Sequence, residues 1–481
     1  MTAAELGQAQ TKARPGPSSA LKIIALATGF VMATLDVTIV NVAGATVQEK
    51  LGVSLAQLTW IVDGYILTFA SLLMLAGGIA NRVGAKTVYM WGMGVFLTAS
   101  LACALAPNAG VLIAARFLQG AGAALFMPSS LSLLVFAFPE KRQRTRMLGL
   151  WSAIVATSSG FGPTLGGLMV NTLGWQSIFL LNLPLGAVGI YMTYRFIQPT
   201  AGNGVRPAFA GHAIWIVMLA ALSFALIEGP HIGWAKTPTL ASYVVMVAAA
   251  LLLVARERRS ENLVMPWSLF RRPAFAGANM VGFLFNFAIF GSMFMLGLYF
   301  QHARGASPFR AGLELIPITI FSPVANVVYS KISARFANGP LLTTFLLLAG
   351  VASLSMVSIS DATPYWFLAV ALGVANIGAG VISPGMTATM MDAAGPAHAN
   401  VAGSVLNANR QIGSLVGIAT MGVLLNATSS WNRGAAVCFL AIGLAYLVAA
   451  LCAWRLITRG DRKETAAPEA APAPAAAPAR V

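Results

Sequence analysis

The chain is short of charge. Of its 481 residues only 9% are Asp, Glu, Lys or Arg, while 58% are hydrophobic. Soluble domains run at roughly 25% charged. Too few polar groups remain to coat a water-soluble fold of this length, which excludes that class. Cysteine is nearly absent, and Cys103, Cys438 and Cys452 all lie in apolar stretches. Neither they nor the four scattered histidines show the spacing of a metal site or a disulfide framework. No phosphate-cradling loop ending in Gly-Lys-Ser/Thr occurs, so nothing supports ATP-driven pumping by this chain alone. No acid, base or nucleophile cluster sits in a polar site, which speaks against an enzyme, and no cofactor is implied.

Acidic residues are the scarcer sign: 14 Asp and Glu against 30 Lys and Arg, a formal charge of +16. On a soluble chain such a balance suggests nucleic acid. Here every basic cluster falls between apolar segments, so no nucleic-acid partner is expected.

What the sequence has is long apolar runs, each near the roughly 20 residues that span a bilayer. They fall at 22–44, 57–79, 85–106, 109–137, 147–170, 176–197, 211–228, 238–255, 274–300, 310–333, 340–360, 364–390, 400–426 and 434–457. This predicts an all-α polytopic membrane protein with fourteen transmembrane helices. With both termini placed in the cytoplasm, 23 of the 30 basic residues fall in inner loops and tails. Only Lys50, Lys236, Arg304, Arg310 and Arg433 fall outside, and Arg116 and Arg410 lie within helices. Such a bias is the positive-inside rule.

The longest inner loops, 198–210 and 256–273, bracket a central pair, giving a 6 + 2 + 6 division. The expected units are a cytoplasmic segment 1–21, a six-helix bundle 22–197, a two-helix insert with its loops 198–273, a second six-helix bundle 274–457 and a disordered Ala/Pro-rich cytoplasmic tail 458–481. Residues 1–21 lack the short apolar core and cleavage site of a removed signal peptide. Gly122–Pro128 and Gly378–Pro384 share one glycine-to-proline spacing in the two halves, as expected of transporter repeats.

Charges inside apolar helices mark candidate function. Asp36 lies deep in the first run, where a charge costs at least ~2.5–3.5 kcal/mol, so it must face the bundle interior. A carboxyl in that setting suits proton binding and release. The competing reading is a structural hydrogen bond that locks the helix. Asp63, near the outer end of the second run, reads either as a second acid for proton or cation or as an interfacial residue wetted from outside. Arg116, buried in the fourth run, needs a partner, and Asp36 and Asp63 are the nearest by topology. Arg410 is a second cation within a helix, with substrate or gating roles open. Glu228 and Glu314 read as solvated helix ends, Glu314 in a first turn where the helix dipole favours an anion.

Four stretches in order carry a family resemblance. They are Leu35–Ala43 in the first helix, Gly77–Lys86 after the second, Arg116–Ala124 in the fourth, and Gly162–Gly167 in the fifth followed by Trp175–Phe179 and Asn182–Pro184. Together they resemble the major facilitator superfamily, specifically its fourteen-helix drug:proton antiporters, across about residues 22–457. The resemblance implies a secondary transporter of the bacterial inner membrane. It would export hydrophobic or cationic compounds by alternating access, driven by the proton gradient and working as a monomer in the lipid bilayer.

The resemblance also assigns roles. Asp36, Asp63, Arg116 and Arg410 would serve proton coupling or substrate, with Gln119, Gly120 and Gly122 completing the helix 4 motif. Gly77, Asn81, Arg82, Gly84 and Lys86 would form the gating loop. Gly162, Pro163, Gly166 and Gly167 would form the antiporter motif, the proline bending the helix and the glycines admitting a neighbour. Asn81 departs from the family, which usually has Asp there, and Ala85 and Gln176 stand where basic residues are common. Two alternatives stay open: a carrier dedicated to one metabolite, and a transport-inactive scaffold or sensor.

Overall fold

The computed structural model describes residues 17–202, 204, 208–259, 267–333, 335–360, 362–395 and 399–459. The polar stretch before residue 17 and the Ala/Pro tail from 460 lie outside the described residues. Among these, the chain is helical throughout and contains no strand. The helices are α1 (Pro17–Leu51), α2 (Leu55–Val83), α3 (Ala85–Ala104), α4 (Ala109–Ala137), α5 (Lys141–Leu173), α6 (Ser177–Phe196, interrupted at Leu181), α7 (Phe209–Ile232) and α8 (Thr237–Glu257). A single turn at Trp267–Phe270 precedes α9 (Pro273–His302). The rest are α10 (Pro308–Glu314, Ile316–Thr319 and Phe321–Ile332), α11 (Asn338–Ser358), α12 (Tyr365–Ala394), α13 (Ala399–Asn426) and α14 (Trp431–Thr458).

Eleven of these are long and apolar enough to cross a membrane, among the described residues and by length and composition. The others are α5, α10 and α13. Of these, α5 and α13 are diluted by Gly, Ser, Thr and Asn, and α10 is broken into three pieces. The first helix begins at Pro17 and runs 35 residues, so part of the expected polar leader is helical.

Local signals set several boundaries. Ser54 and Gln57 form a reciprocal capping box at the start of α2, and Asn108 caps α4 through the Val111 amide at 3.0 Å. The α2–α3 turn passes through Gly84 at φ 98°, a conformation that disfavours any side chain. The breaks in α10 flank Pro317, which lacks the amide a continuous ladder needs. Pro163, by contrast, does not interrupt α5, which stays helical through Leu173.

Connections gather at two ends. The end holding the α2–α3, α4–α5, α6–α7, α8–α9, α10–α11 and α12–α13 connections carries Lys141, Arg258, Arg259 and Arg335 and is termed the basic end; the other is the distal end. Packing runs through glycine, as expected where lipid removes the hydrophobic drive between helices. A methyl built at Gly122 of α4 would stand 2.6 Å from the Phe96 amide nitrogen and 2.9 Å from the Gly92 carbonyl on α3. Glycine pairs four apart recur in matching places. Gly162 and Gly166 of α5 abut Thr38 and Ile39 of α1, and Gly413 and Gly417 of α13 abut Phe283 and Phe287 of α9. Of the central pair, α7 touches α2 and α13 near the distal end through Ala56, Ile227 and Ala419. On α8, Val244, Leu251 and Leu252 are more than half exposed, an apolar face suited to lipid.

Close backbone approach at Gly122 yields a prediction. Gly122→Val destabilises the purified protein by about 1–3 kcal/mol, the usual range for overpacking. Gly94→Ala, where nothing lies within 4 Å, leaves it unchanged or slightly more stable. Thermal unfolding in detergent, followed by size-exclusion elution, measures both.

Candidate transport site

Asp36 sits mid-way along α1 and is 3% exposed. Its Oδ2 accepts a hydrogen bond from Arg116 Nη1 in a buried ion pair, and its Oδ1 accepts from Gln119 Nε2 at 2.8 Å. Arg116 and Gln119 are three apart on α4 and so share a face. Arg116 Nη1 also donates to Gln119 Oε1 at 2.7 Å, and its Nε donates to the Ile61 carbonyl of α2 at 2.9 Å. The guanidinium lies over the Tyr65 ring, 4.5 Å from its centroid, with Phe179 at 5.8 Å. Gln119 Nε2 donates on to Ser100 of α3 at 2.8 Å, and Asn182 Nδ2 of α6 donates to the same hydroxyl at 2.9 Å. Five helices therefore meet in one buried polar network. Gly120 makes this possible, since any Cβ there would collide with the Tyr65 carbonyl and the Thr68 hydroxyl of α2.

A buried ion pair holds only when its remaining polar positions are satisfied. Both Asp36 oxygens have donors, and Arg116 reaches α1 and α2 at once. The arrangement can store an anion or, with a proton on the carboxyl, release the guanidinium from it. Of the two partners open to Arg116, the structure selects Asp36. Ser100 and Asn182 carried no assigned role. Ser100 is one hydroxyl in an apolar run, and its only signal is distance across the fold.

Asp63 is fully buried and neither carboxylate oxygen has a hydrogen-bond partner among the described residues. The expected alternative of a residue wetted from outside is therefore incorrect. The neighbouring α2 side chains Thr59 and Met74, one turn before and three turns after it, pack towards α13 and its surroundings. Arg410 is half-buried on α13 beside Gly282 of α9, in the other half of the chain, and is not joined to the Asp36 network.

In the gating loop, Asn81 and Arg82 are exposed and Gly77 has open space around it. Gly84 abuts the Thr200 carbonyl, and Lys86 Nζ donates to the carbonyls of Tyr194 at 3.2 Å and Ile197 at 2.5 Å. The loop is thus tied to the chain that follows α6. The glycines of α5 face two ways: Gly162 and Gly166 meet α1, while Gly167 meets Pro308 and Phe309 at the start of α10.

Two expected surface acids are not simply solvated. Glu228 Oε1 accepts from Trp60 Nε1 at 2.7 Å, joining α7 to α2. Glu314 ends, rather than begins, the seven-residue helix Pro308–Glu314 and is only 6% exposed, because it faces into the bundle. Among the described residues, no three His, Cys, Asp or Glu side chains gather as metal ligands would.

Comparison with known proteins places this geometry in context. The sequence model of the Major Facilitator Superfamily matches residues 26–418. A methylenomycin A resistance protein of Streptomyces coelicolor is 72% identical over 468 residues, covering 96% of this chain and 98% of that one. A protein of the same description from Bacillus subtilis is 46% identical, covering 90% and 93%. The multidrug resistance protein Stp of Mycobacterium tuberculosis is 34% identical, covering 85% and 76%. Among solved structures, the peptide transporter POT with bound sulfate superimposes with a TM-score of 0.70 over 92% of this chain and 95% of that one. At 16% identity this likeness speaks to the fold alone.

The ion pair generates a test of its own. Arg116→Gln leaves Asp36 buried without its countercharge and destabilises the protein by about 3–5 kcal/mol. The double variant Asp36→Asn/Arg116→Gln, neutral and still hydrogen-bonding, recovers most of that loss. Apparent melting temperatures of the three proteins check this, and a double variant as unstable as Arg116→Gln would contradict it.

Proposed function

The chain belongs to the Major Facilitator Superfamily, and we propose that within it this transporter is a proton-driven exporter of a small antibiotic. It is a multi-pass protein of the bacterial cell membrane and a carrier, not an enzyme. Its relatives are named for antibiotic resistance and drug efflux. The finer reading is fourteen spans, the eleven apolar helices together with α5, α10 and α13, arranged as six, two and six. The basic end then faces the cytoplasm, as the charge bias favours.

The observation that carries the proposal is the Asp36–Arg116–Gln119 network. A carboxylate in an apolar interior, held by one guanidinium and one amide, has two stable forms. Ionised, it draws α4 and α1 together through Arg116. With a proton on Oδ2 the anion is gone, and Arg116 keeps the Ile61 carbonyl, Gln119 and the Tyr65 ring. A proton shifts the balance between inward- and outward-open forms only by its different affinity for each. A contact that changes strength as helices move supplies such a difference. Asp63, buried with both oxygens unpartnered, supports a second acid in the same half. Alternating access between the two bundles is supported by the contacts at the distal end, where α1 meets α9 and α5 meets α10 through glycine and backbone.

Relatives named for one antibiotic, at 72% and 46% identity, favour a narrow cargo range and methylenomycin A as the first compound to test. Broad export of hydrophobic or cationic compounds is the second reading, favoured by the relative named for multidrug resistance.

Everted vesicles from cells making the protein, energised to an acidic interior, test coupling. Adding methylenomycin A discharges the pH gradient in wild type and fails to do so with Asp36→Asn at equal protein level. Discharge by lipophilic cations as well would broaden the cargo. Equal discharge in the variant would remove Asp36 from proton coupling.

A further inference from the structure

The distal face is closed by three sets of contacts between the two halves. A methyl at Gly297 of α9 would lie against the Asn41 carbonyl of α1, and Gln301 Nε2 donates to the Val42 carbonyl at 2.9 Å. Thr59 of α2 lies against Gly422 of α13. The third set is backbone on backbone. Gly167 of α5 abuts Pro308 and Phe309, and Gly312 abuts Pro163 and Thr164. Thr164 Oγ1 donates to the Gly312 carbonyl at 3.4 Å, and Thr319 Oγ1 to that of Gly160 at 2.9 Å. With backbone this close, opening the distal face must part α5 from α10.

Glu314 lies two residues from Gly312 and is 6% exposed. Its Oε1 accepts from Arg310 Nε at 2.9 Å, yet the Arg310 side chain is 69% exposed and stands largely in solvent. Its Oε2 is buried and has no hydrogen-bond partner among the described residues. Tyr365 at the start of α12 donates to the Glu314 carbonyl at 3.2 Å, which fixes the position. At the same end, Arg304 Nη2 donates to the Thr363 carbonyl at 2.9 Å, and its Nη1 is buried without a hydrogen-bond partner among the described residues. From α9, Tyr299 bonds Asn432, and His302 bonds Gln48 and stacks on Trp431. Residues 160–167 of α5 and 37–48 of α1 contain no ionisable side chain.

We propose that Glu314 is a second proton-binding carboxyl of the transport cycle, in the C-terminal half, loaded as the distal face closes. With α10 parted from α5, both oxygens are hydrated and the group is an anion. Closure strips that water and leaves Arg310 on one oxygen only. Burying a bare anionic oxygen is unfavourable, and burying a neutral O–H is much less so. A proton taken from water on the distal side forms one O–H bond at Oε2, breaks no other bond in the protein, and lets the clasp shut. The proton-driven reading above is needed only for what that proton does afterwards; its binding at closure stands apart from it.

The test reads the clasp, not transport. Full-length protein with Cys103, Cys438 and Cys452 replaced is labelled with spin probes at Leu173→Cys and Ala362→Cys, exposed positions on opposite halves of the distal face. It is then reconstituted in lipid nanodiscs without cargo. Distances are measured by electron-electron resonance from pH 8 to pH 5, in the Asp36→Asn background so that this carboxyl does not contribute. A single site changes the closed-to-open ratio by at most about tenfold per pH unit. The expected result is closure that grows as pH falls; this pH response is present with Glu314→Asp and absent with Glu314→Gln, which stays closed throughout. Arg304→Gln leaves the pH response intact.

Three results would overturn the proposal. They are a wild-type pH response in Glu314→Gln, a Glu314→Gln protein that stays open, or loss of closure in Arg304→Gln. The last two would make Glu314 a fixed anion for its arginines. Failure of vesicle coupling together with an intact Glu314 response would sink the exporter reading and leave this site standing.

Discussion

A charge of each sign held inside an apolar bundle is the constraint on which the N-terminal half is built. Asp36 and Arg116 are each 1% exposed at the side chain. Each alone is costly, since an unpaired ion at that depth destabilises a membrane helix by several kcal/mol. Pairing them requires α4 to approach α1 with α2 between. That approach requires Gly120 where Tyr65 and Thr68 pass, and Gly122 where α3 passes. The glycines of this motif and its charged residues are thus parts of one device. The first makes room for the second.

The same logic of close approach applies within each half and between the halves. Within each half, glycines four residues apart set α5 on α1 and α13 on α9. Between halves, the contacts at the distal end combine close backbone approach, hydroxyl and amide bonds, and small apolar side chains such as Ala56 and Ala419. The broken α10 belongs to the clasp. Its first segment is a seven-residue helix whose backbone meets α5, and Pro317 uncouples it from the remainder.

Much of this was legible in the sequence, for a reason particular to membranes. Each span must be contiguous and nearly free of charge, so apolar runs and loop charges alone outline the helices. The depth of Asp36, and the need of Arg116 for an acid, could be read from their apolar neighbours. What could not be read depends on distance across the chain. Ser100 and Asn182 are 82 residues apart and meet at one hydroxyl. Asp63 looked interfacial because it lies near a helix end, yet α2 is covered there by its neighbours. Glu314 seemed a solvated first-turn acid because the breaks in α10 moved the helix end onto it. Pro163 reads as a bend in α5, while the helix runs unbroken across it from Lys141 to Leu173.

The central proposal is that Asp36, paired with Arg116, carries the proton that couples transport to the gradient. Its most direct test is proton release from the purified transporter in weakly buffered detergent solution as methylenomycin A is added, followed with a pH-indicating dye. The account predicts a saturable acidification in wild type whose size falls as the starting pH rises, and none in Asp36→Asn although that protein still binds the compound. Release of the same size from Asp36→Asn, or cargo binding in wild type without any proton released across the whole pH range, would contradict it.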